Sequence, residues 1–369
     1  MIFAMKDLSL YIHIPFCKTI CLYCNFLTFA SKNRQIPAYV EALVKEIRER
    51  SKEYVGYSIQ TIYFGGGTPS LIDPLLIKKI IQEIKKASHV KKGCEITIEC
   101  NPESVDAVRM RLYQEATVTR FSLGIQSFNK ETLWRIARPH DSAMIFKALD
   151  VFKEAGVKNF GADFIMGLPG QTLASFKQEV ETILAYQPTH TSFYFLSYDT
   201  KKIDLFIKEC PDEDTQIRMY EWLCKRLKRA GFIHYEVSNW AQPGHESKHN
   251  RRYWEQKDYL GLGLGAHSIV AGHMWENGSD FNAYLKDPMK TTNEMAIDPD
   301  LKRMELIMLR LRTCEGLDLK QYAKLGDEKE LLRQAKDFIT SGHLRKRDGV
   351  LIATEKGFLI LETITKRLL

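Results

Sequence analysis

Three cysteines crowd into one short stretch, YIHIPFCKTICLYCNF, at Cys17, Cys21 and Cys24. Thiolates spaced C-x3-C-x2-C can wrap an iron–sulfur cubane, which normally takes four such ligands. Three thiolates leave one iron with an open position, and open coordination marks a metal site that does chemistry rather than one that only holds a fold. A zinc site of the three cysteines with His13 is the competing chemistry, although structural zinc sites usually draw on two separated ligand pairs. Tyr11, Phe16, Tyr23 and Phe26 flank the thiols and predict a dry wall around them. The other five cysteines, Cys94, Cys100, Cys210, Cys224 and Cys314, are scattered. They read as small buried hydrophobes.

Something must hold that loop. Strand-like runs occur at 8–14, 59–64, 95–99, 118–125, 159–166 and 190–198, and helical periodicity at 37–50, 74–87, 172–186 and 212–229. Asp73-Pro74 reads as an N-cap followed by proline at the first helical position, and Gly156 and Gly231 stand where helices end. Strands alternating with helices predict an α/β fold with a parallel sheet, open or curled into a barrel. An aromatic and glycine-rich stretch covers 233–275, and the chain is helical and charged from about 298. It ends in HLRKRDGVLIATEKG, a hairpin turning at Asp348-Gly349. The pattern divides the chain into a core at 1–232, an extension at 233–297 and a small winged-helix-like domain at 298–369.

Composition narrows the class. The chain has 369 residues, 44% hydrophobic and 27% charged, with a net charge of +7. No apolar run approaches the roughly 20 residues of a membrane span. No secretory signal is legible, so the expected compartment is the cytoplasm. Basic pairs at Lys78-Lys79, Lys85-Lys86 and Lys91-Lys92 read as solvated helix faces. Arg345, Lys346 and Arg347 in the hairpin are too few to predict nucleic-acid binding.

The unusual residues fall at the carboxyl ends of the expected strands, where parallel α/β folds bind ligands. The cysteines follow the first strand and Gly65-Gly66-Gly67-Thr68-Pro69 the second. Glu99-Cys100-Asn101-Pro102, Gln126-Ser127-Phe128, Gly167-Leu168-Pro169-Gly170 and Ser197-Tyr198-Asp199 follow the others. Three glycines let backbone approach a ligand closely. Glu99 ends an apolar strand, where an ionised carboxylate needs hydrogen-bond donors.

The C-x3-C-x2-C loop after a first strand resembles the radical S-adenosylmethionine superfamily. That resemblance implies a partial (β/α)6 barrel and a 4Fe–4S cluster on Cys17, Cys21 and Cys24. S-adenosylmethionine would chelate the open iron, and an electron from the cluster would split it to a 5′-deoxyadenosyl radical. YIHIPFC, YFGGGTPS, RFSLGIQSF, DFIMGLPGQT and HYEVSNWA are similar to the oxygen-independent coproporphyrinogen III dehydrogenase family over roughly residues 9–275. Tyr11, Gly66 and Glu99 then match positions that bind the cluster-bound S-adenosylmethionine. Tyr23, Gly67, Thr68, Gln126, Arg138, Asp163 and Ser197 match positions around a second one, whose binding here is open.

Two departures matter. Phe26 stands where the dehydrogenase branch has a fourth cysteine, and only ten residues precede Tyr11. Both resemble the HemW-type heme chaperone branch, as does His249-Asn250-Arg251-Arg252-Tyr253-Trp254, which matches its H-N-x-x-Y-W motif. That branch implies heme, a heme-acceptor protein with the membrane as one place of transfer, and an electron donor for the cluster. Imidazole suits heme iron and rings suit its macrocycle, so His249 is the expected ligand, with His267 and His273 as rivals. Arg251 and Arg252 could pair with propionates. Radical decarboxylation of coproporphyrinogen III is the alternative, and a radical enzyme on another substrate the third reading.

Overall fold

The computed structural model describes residues 5–196 and 207–369. Six strand–helix units open the chain. β1 (Lys6–Ile14) leads to α1 (Ile36–Glu53), β2 (Tyr57–Gly66) to α2 (Pro74–Ala87) and β3 (His89–Cys100) to α3 (Ala107–Glu115). β4 (Arg120–Gln126) is followed by α4 (Lys130–Arg135) and α5 (Ser142–Glu154), β5 (Phe160–Met166) by α6 (Leu173–Ala185), and β6 (His190–Phe195) by α7 (Glu213–Arg229). The six strands lie in chain order and pair in parallel. They read as apolar runs because helices cover the sheet and bury its strands; six of the seven residues of β5 are buried.

The next segment widens both edges of this sheet. β7 (Ile233–Glu236) and β8 (Asn239–Ala241) add antiparallel strands beyond β6, and α8 (Lys248–Trp254) follows. β9 (Tyr259–Leu262) pairs in parallel with the free side of β1. Antiparallel β10 (His267–Val270) and β11 (His273–Asn277) follow outward, then, after α9 (Phe281–Lys286), β12 (Thr291–Ala296). The described sheet runs from β12 to β7 without closing. One cavity is lined by residues of β2 through β6 together with the loop after β1, so the sheet is curled into an open barrel.

The C-terminal part carries α10 (Pro299–Leu311), β13 (Leu317–Asp318), α11 (Leu319–Tyr322), α12 (Glu328–Thr340), β14 (Leu344–Arg347) and β15 (Val350–Ala353) in winged-helix order. α13 (Glu355–Leu359) and α14 (Leu361–Leu368) end the chain. Its sheet is antiparallel, ordered β13-β15-β14. Asp348 and Gly349 take φ of 50° and 77°, the left-handed pair that a tight hairpin turn requires. One apolar core nevertheless runs from Leu8 to Leu368. No described helix is long and apolar enough to cross a membrane.

Most sequence expectations hold. Asp73 caps α2 by accepting from the Leu75 N–H at 2.9 Å, and Gly156 and Gly231 take positive φ beyond their helices. Lys91-Lys92 is a correction: the pair lies on the exposed start of β3, not on a helix. The expected end of the sixth strand, from Ser197 onward, lies outside the described residues.

A buried carboxyl fastens the extension to the barrel. Glu46 of α1 is fully buried. It accepts from the Tyr284 hydroxyl at 2.6 Å, the Asn277 amide at 2.6 Å and the Gly263 N–H at 2.9 Å. Burial pushes its pKa up to about 7, against these three donors. The folded chain therefore holds this proton to higher pH than the unfolded chain. The resulting stability is complete below the ordinary carboxylate range and is lost as pH rises through about 7. Glu99, also pushed up to about 7, adds a second contribution of the same sign. Glu46→Gln should flatten the fall of stability between pH 5 and pH 7.5 in urea unfolding, by up to about 1.4 kcal/mol per pH unit. An unchanged slope contradicts this account.

Candidate metal and cofactor site

The cysteine loop is closed at its neck by backbone. The Cys17 N–H donates to Phe29 O at 3.1 Å and the Phe29 N–H to Pro15 O at 2.7 Å. Farther out, the Leu22 N–H donates to Ile136 O and the Cys24 N–H to Cys21 O. His13 bridges the loop to β1: its Nε2 meets Leu27 O at 2.9 Å and its Nδ1 the Tyr11 hydroxyl at 3.1 Å. The glycine triplet of β2 runs against this neck, with the Gly67 N–H donating to Ile14 O and the Thr68 N–H to Phe16 O. A Cβ on Gly66 (φ 111°) would lie 2.5 Å from the His13 ring. One on Gly67 would lie 2.7 Å from Phe16 O and 3.0 Å from Cys17 Sγ. The triplet is therefore what lets the loop sit on the barrel mouth.

A chain of hydrogen bonds surrounds the sulfurs. Thr68 Oγ1 donates to Cys17 Sγ at 3.6 Å and accepts from Asn101 Nδ2 at 3.0 Å. Asn101 Oδ1 accepts from Arg138 at 2.9 Å. Arg138 also donates to Cys21 Sγ at 3.4 Å, Tyr23 Oη at 3.2 Å and Gly124 O at 2.8 Å. His140 and Glu103, 2.9 Å apart and buried, pin the loops beneath Asn101 and Arg138 together. Burial pushes the Cys17 thiol up to about 11, with smaller contributions from Cys24 and Cys21. Burial also raises Cys24, against the Arg138 charge. Without metal, burial thus favours the protonated thiol at Cys17 and Cys24, so metal binding must release protons.

The three thiols open onto a cavity of about 330 Å³, within the usual range of small-molecule sites, roughly 300–1,000 Å³. Tyr23, Gly66, Gly67, Thr68, Glu99, Gln126, Arg138 and Asp163 line it as well. Glu99 Oε1 accepts from the Tyr63 hydroxyl at 2.7 Å and Oε2 from the Gly66 N–H at 3.2 Å. Asp163 accepts from Ser122 at 2.8 Å; burial raises its pKa. Gln126 ends β4 at φ 68°, a left-handed conformation that costs a non-glycine residue of order 1 kcal/mol and concentrates at functional sites.

Tyr11 and the residues expected to hold heme do not line the cavity. Tyr11 lies behind Tyr63, their ring centroids 6.3 Å apart. His249 is fully buried beneath the cavity. Its Nδ1 meets Thr61 Oγ1 at 2.8 Å, its Nε2 meets Tyr253 Oη at 2.7 Å, and its ring stacks on Tyr63. Burial lowers its pKa to about 3. His267 is exposed and 3.1 Å from Glu276, and His273 is exposed on β11. Arg251 pairs with Glu315 and Glu255, and Arg252 with Asp7. Ser197 lies outside the described residues. Phe26 is 69% exposed at the cavity mouth, so it is no part of a dry wall.

Sequence reading missed Tyr63, Arg120, Ser122, His190 and Tyr194, which also line the cavity. They alternate with core residues along β2, β4 and β6. Strict two-residue spacing of polar side chains back from the strand ends was the available signal.

An open six-stranded barrel with three thiols over its mouth fits the Radical SAM superfamily, whose family model matches residues 11–183. The thiols share one cavity and influence one another, and Thr68 and Arg138 donate to the sulfurs as groups around an iron–sulfur cluster do. A second model, the HemN C-terminal domain, matches residues 297–360. The chain is 32% identical to heme chaperone HemW of Lactococcus lactis over 99% of its length and 98% of that protein. Heme chaperone HemW of Bacillus subtilis is 30% identical, over 95% of this chain and 96% of the relative. The chain belongs to the HemW family. The structure of coproporphyrinogen III oxidase (HemN) from Escherichia coli superposes with a TM-score of 0.85 at 21% identity, covering 99% of this chain and 91% of that one, and so shares its fold.

Replacing Cys17, Cys21 or Cys24 with Ala should abolish the visible absorbance of the anaerobically reconstituted protein. Retention of full iron content by the triple variant would show that the metal is held elsewhere.

Proposed function

We propose that this protein is a cytoplasmic heme chaperone that holds a 4Fe–4S cluster on Cys17, Cys21 and Cys24, binds S-adenosylmethionine beside it, and passes heme to an acceptor protein. The observation that carries the reading is end-to-end likeness to relatives named heme chaperone HemW. When bound, the cluster supplies an electron and an iron with an open position.

The chain's own residues would do the positioning. Gly66 and Gly67 bring backbone within reach of a ligand at the open iron. Tyr63 and the Gly66 N–H aim the Glu99 carboxylate into the cavity, where it can accept from ribose hydroxyls. Arg138 holds Cys21, Tyr23 and Asn101 in one arrangement. Gln126, Asp163 and Thr68 supply further polar groups in the same cavity.

Heme requires more. His249 can ligate iron only by giving up Thr61 or Tyr253. Loading through His249 therefore moves α8, whereas His267 and His273 are exposed in place. The acceptor protein and an electron donor for the cluster complete the cycle. The proposed divisions are a barrel core at 1–232, an extension at 233–297 and a C-terminal domain at 298–369.

Two assays on cluster-loaded protein test this reading. Anaerobic incubation with reductant, S-adenosylmethionine and coproporphyrinogen III should leave the porphyrinogen intact by mass spectrometry, and heme titration should give a saturable spectral change. Loss of two carboxyl groups per porphyrinogen would make the protein a decarboxylating enzyme despite Phe26.

A further inference from the structure

A second cluster of ligating side chains lies far along the sequence from the cysteine loop. Cys224 of α7, His234 of β7 and Glu355, the first residue of α13, each offer an atom within 4.8 Å of the other two. Cys224 Sγ and His234 Nδ1 are 3.9 Å apart. Around a tetrahedral zinc ion, bonds of about 2.3 Å to sulfur and about 2.0–2.1 Å to nitrogen place the two donors roughly 3.5 Å apart. A few tenths of an ångström separate this pair from a coordinated spacing, and the Glu355 oxygen lies within 4.8 Å of both. We propose that Cys224, His234 and Glu355 form a zinc-class metal site that clamps the C-terminal domain to the barrel.

The histidine is already set as a ligand. Its ring is stacked on Trp240, with centroids 4.1 Å apart and planes 14° apart, and the edge of Phe358 abuts it. Nε2 lies 3.3 Å from Val237 O. With the proton on Nε2, donated to that carbonyl, the Nδ1 lone pair faces Cys224 and Glu355. Metal-binding histidines use their second nitrogen in this way.

The carboxylate gives an independent sign. Lys228, Arg345 and Lys356 rim the same open cavity. Among the described residues Glu355 nevertheless makes no ion pair with any of them, and its oxygen sits with the thiol and the imidazole. A thiolate, a carboxylate and a divalent cation sum to zero charge, so the basic rim does not oppose an occupied site. Tyr220, one helical turn before Cys224 and 2% exposed, turns its hydroxyl to the Cys224 sulfur, a contact that favours the thiolate. Three protein ligands leave a fourth position for water. Thiolate with imidazole favours zinc over magnesium or calcium. The open cavity of about 630 Å³ provides the entry path.

The test uses cluster-loaded protein, so that Cys17, Cys21 and Cys24 are already occupied. After chelator treatment it is dialysed anaerobically against zinc alone, and bound zinc is counted by mass spectrometry. The wild type should retain one zinc per chain, with X-ray absorption showing a single sulfur ligand. Cys224→Ser and Glu355→Gln should each weaken binding at least tenfold. Glu355 is exposed, so its replacement leaves the packing of the chain intact even where Cys224→Ser disturbs it. Equal zinc affinity in the wild type and Glu355→Gln, a three-sulfur signature, or no retained zinc would each overturn the proposal.

Discussion

Four loops of the barrel meet at the cysteine sulfurs, and a single hydrogen-bonded chain ties two of those sulfurs, Cys17 and Cys21, to all four. Cys17, Thr68, Asn101, Arg138 and Cys21 are linked in that order by bonds of 2.9 to 3.6 Å. Each residue comes from a different loop except the two cysteines that close the chain. A cluster distorts easily when its ligands are free to move, and hydrogen bonds to its sulfurs tune its potential. Arg138 has the largest share in this. It donates to the Cys21 sulfur, and it anchors Tyr23 and the end of β4 as well.

That chain depends on the parallel sheet beneath it. Six strands deliver their carboxyl ends to one rim, and the glycine triplet lets the rim approach the cysteine loop closely. Polar groups then extend down the barrel: Glu99 and Asp163 high, Arg120 and His190 lower. Buried charges of both signs in one cavity are costly to leave unpaired.

Much of this was legible before any coordinates. The cysteine spacing, the triplet and Glu99 stood at strand ends, and the 2.0 and 3.6 periodicities placed the strands and helices around them. Tyr63, Arg120 and His190 were missed, because their two-residue spacing back from the strand ends sets them on one face of a strand without saying which face of a curled sheet turns inward. His249 showed the opposite limit. Its aromatic neighbours suggested a heme pocket, whereas the structure uses Tyr63 and Tyr253 to bury it with both nitrogens bonded. Cys224 read as a small hydrophobe, since its partners are ten and more than a hundred residues away along the chain.

The most direct measurement is electron paramagnetic resonance of the reconstituted, reduced protein with and without S-adenosylmethionine. A cluster held by three thiols has an iron free to bind the amino and carboxylate groups, so its signal should change on addition and shift further from the wild type in Glu99→Gln. A cluster signal indifferent to S-adenosylmethionine would contradict the account.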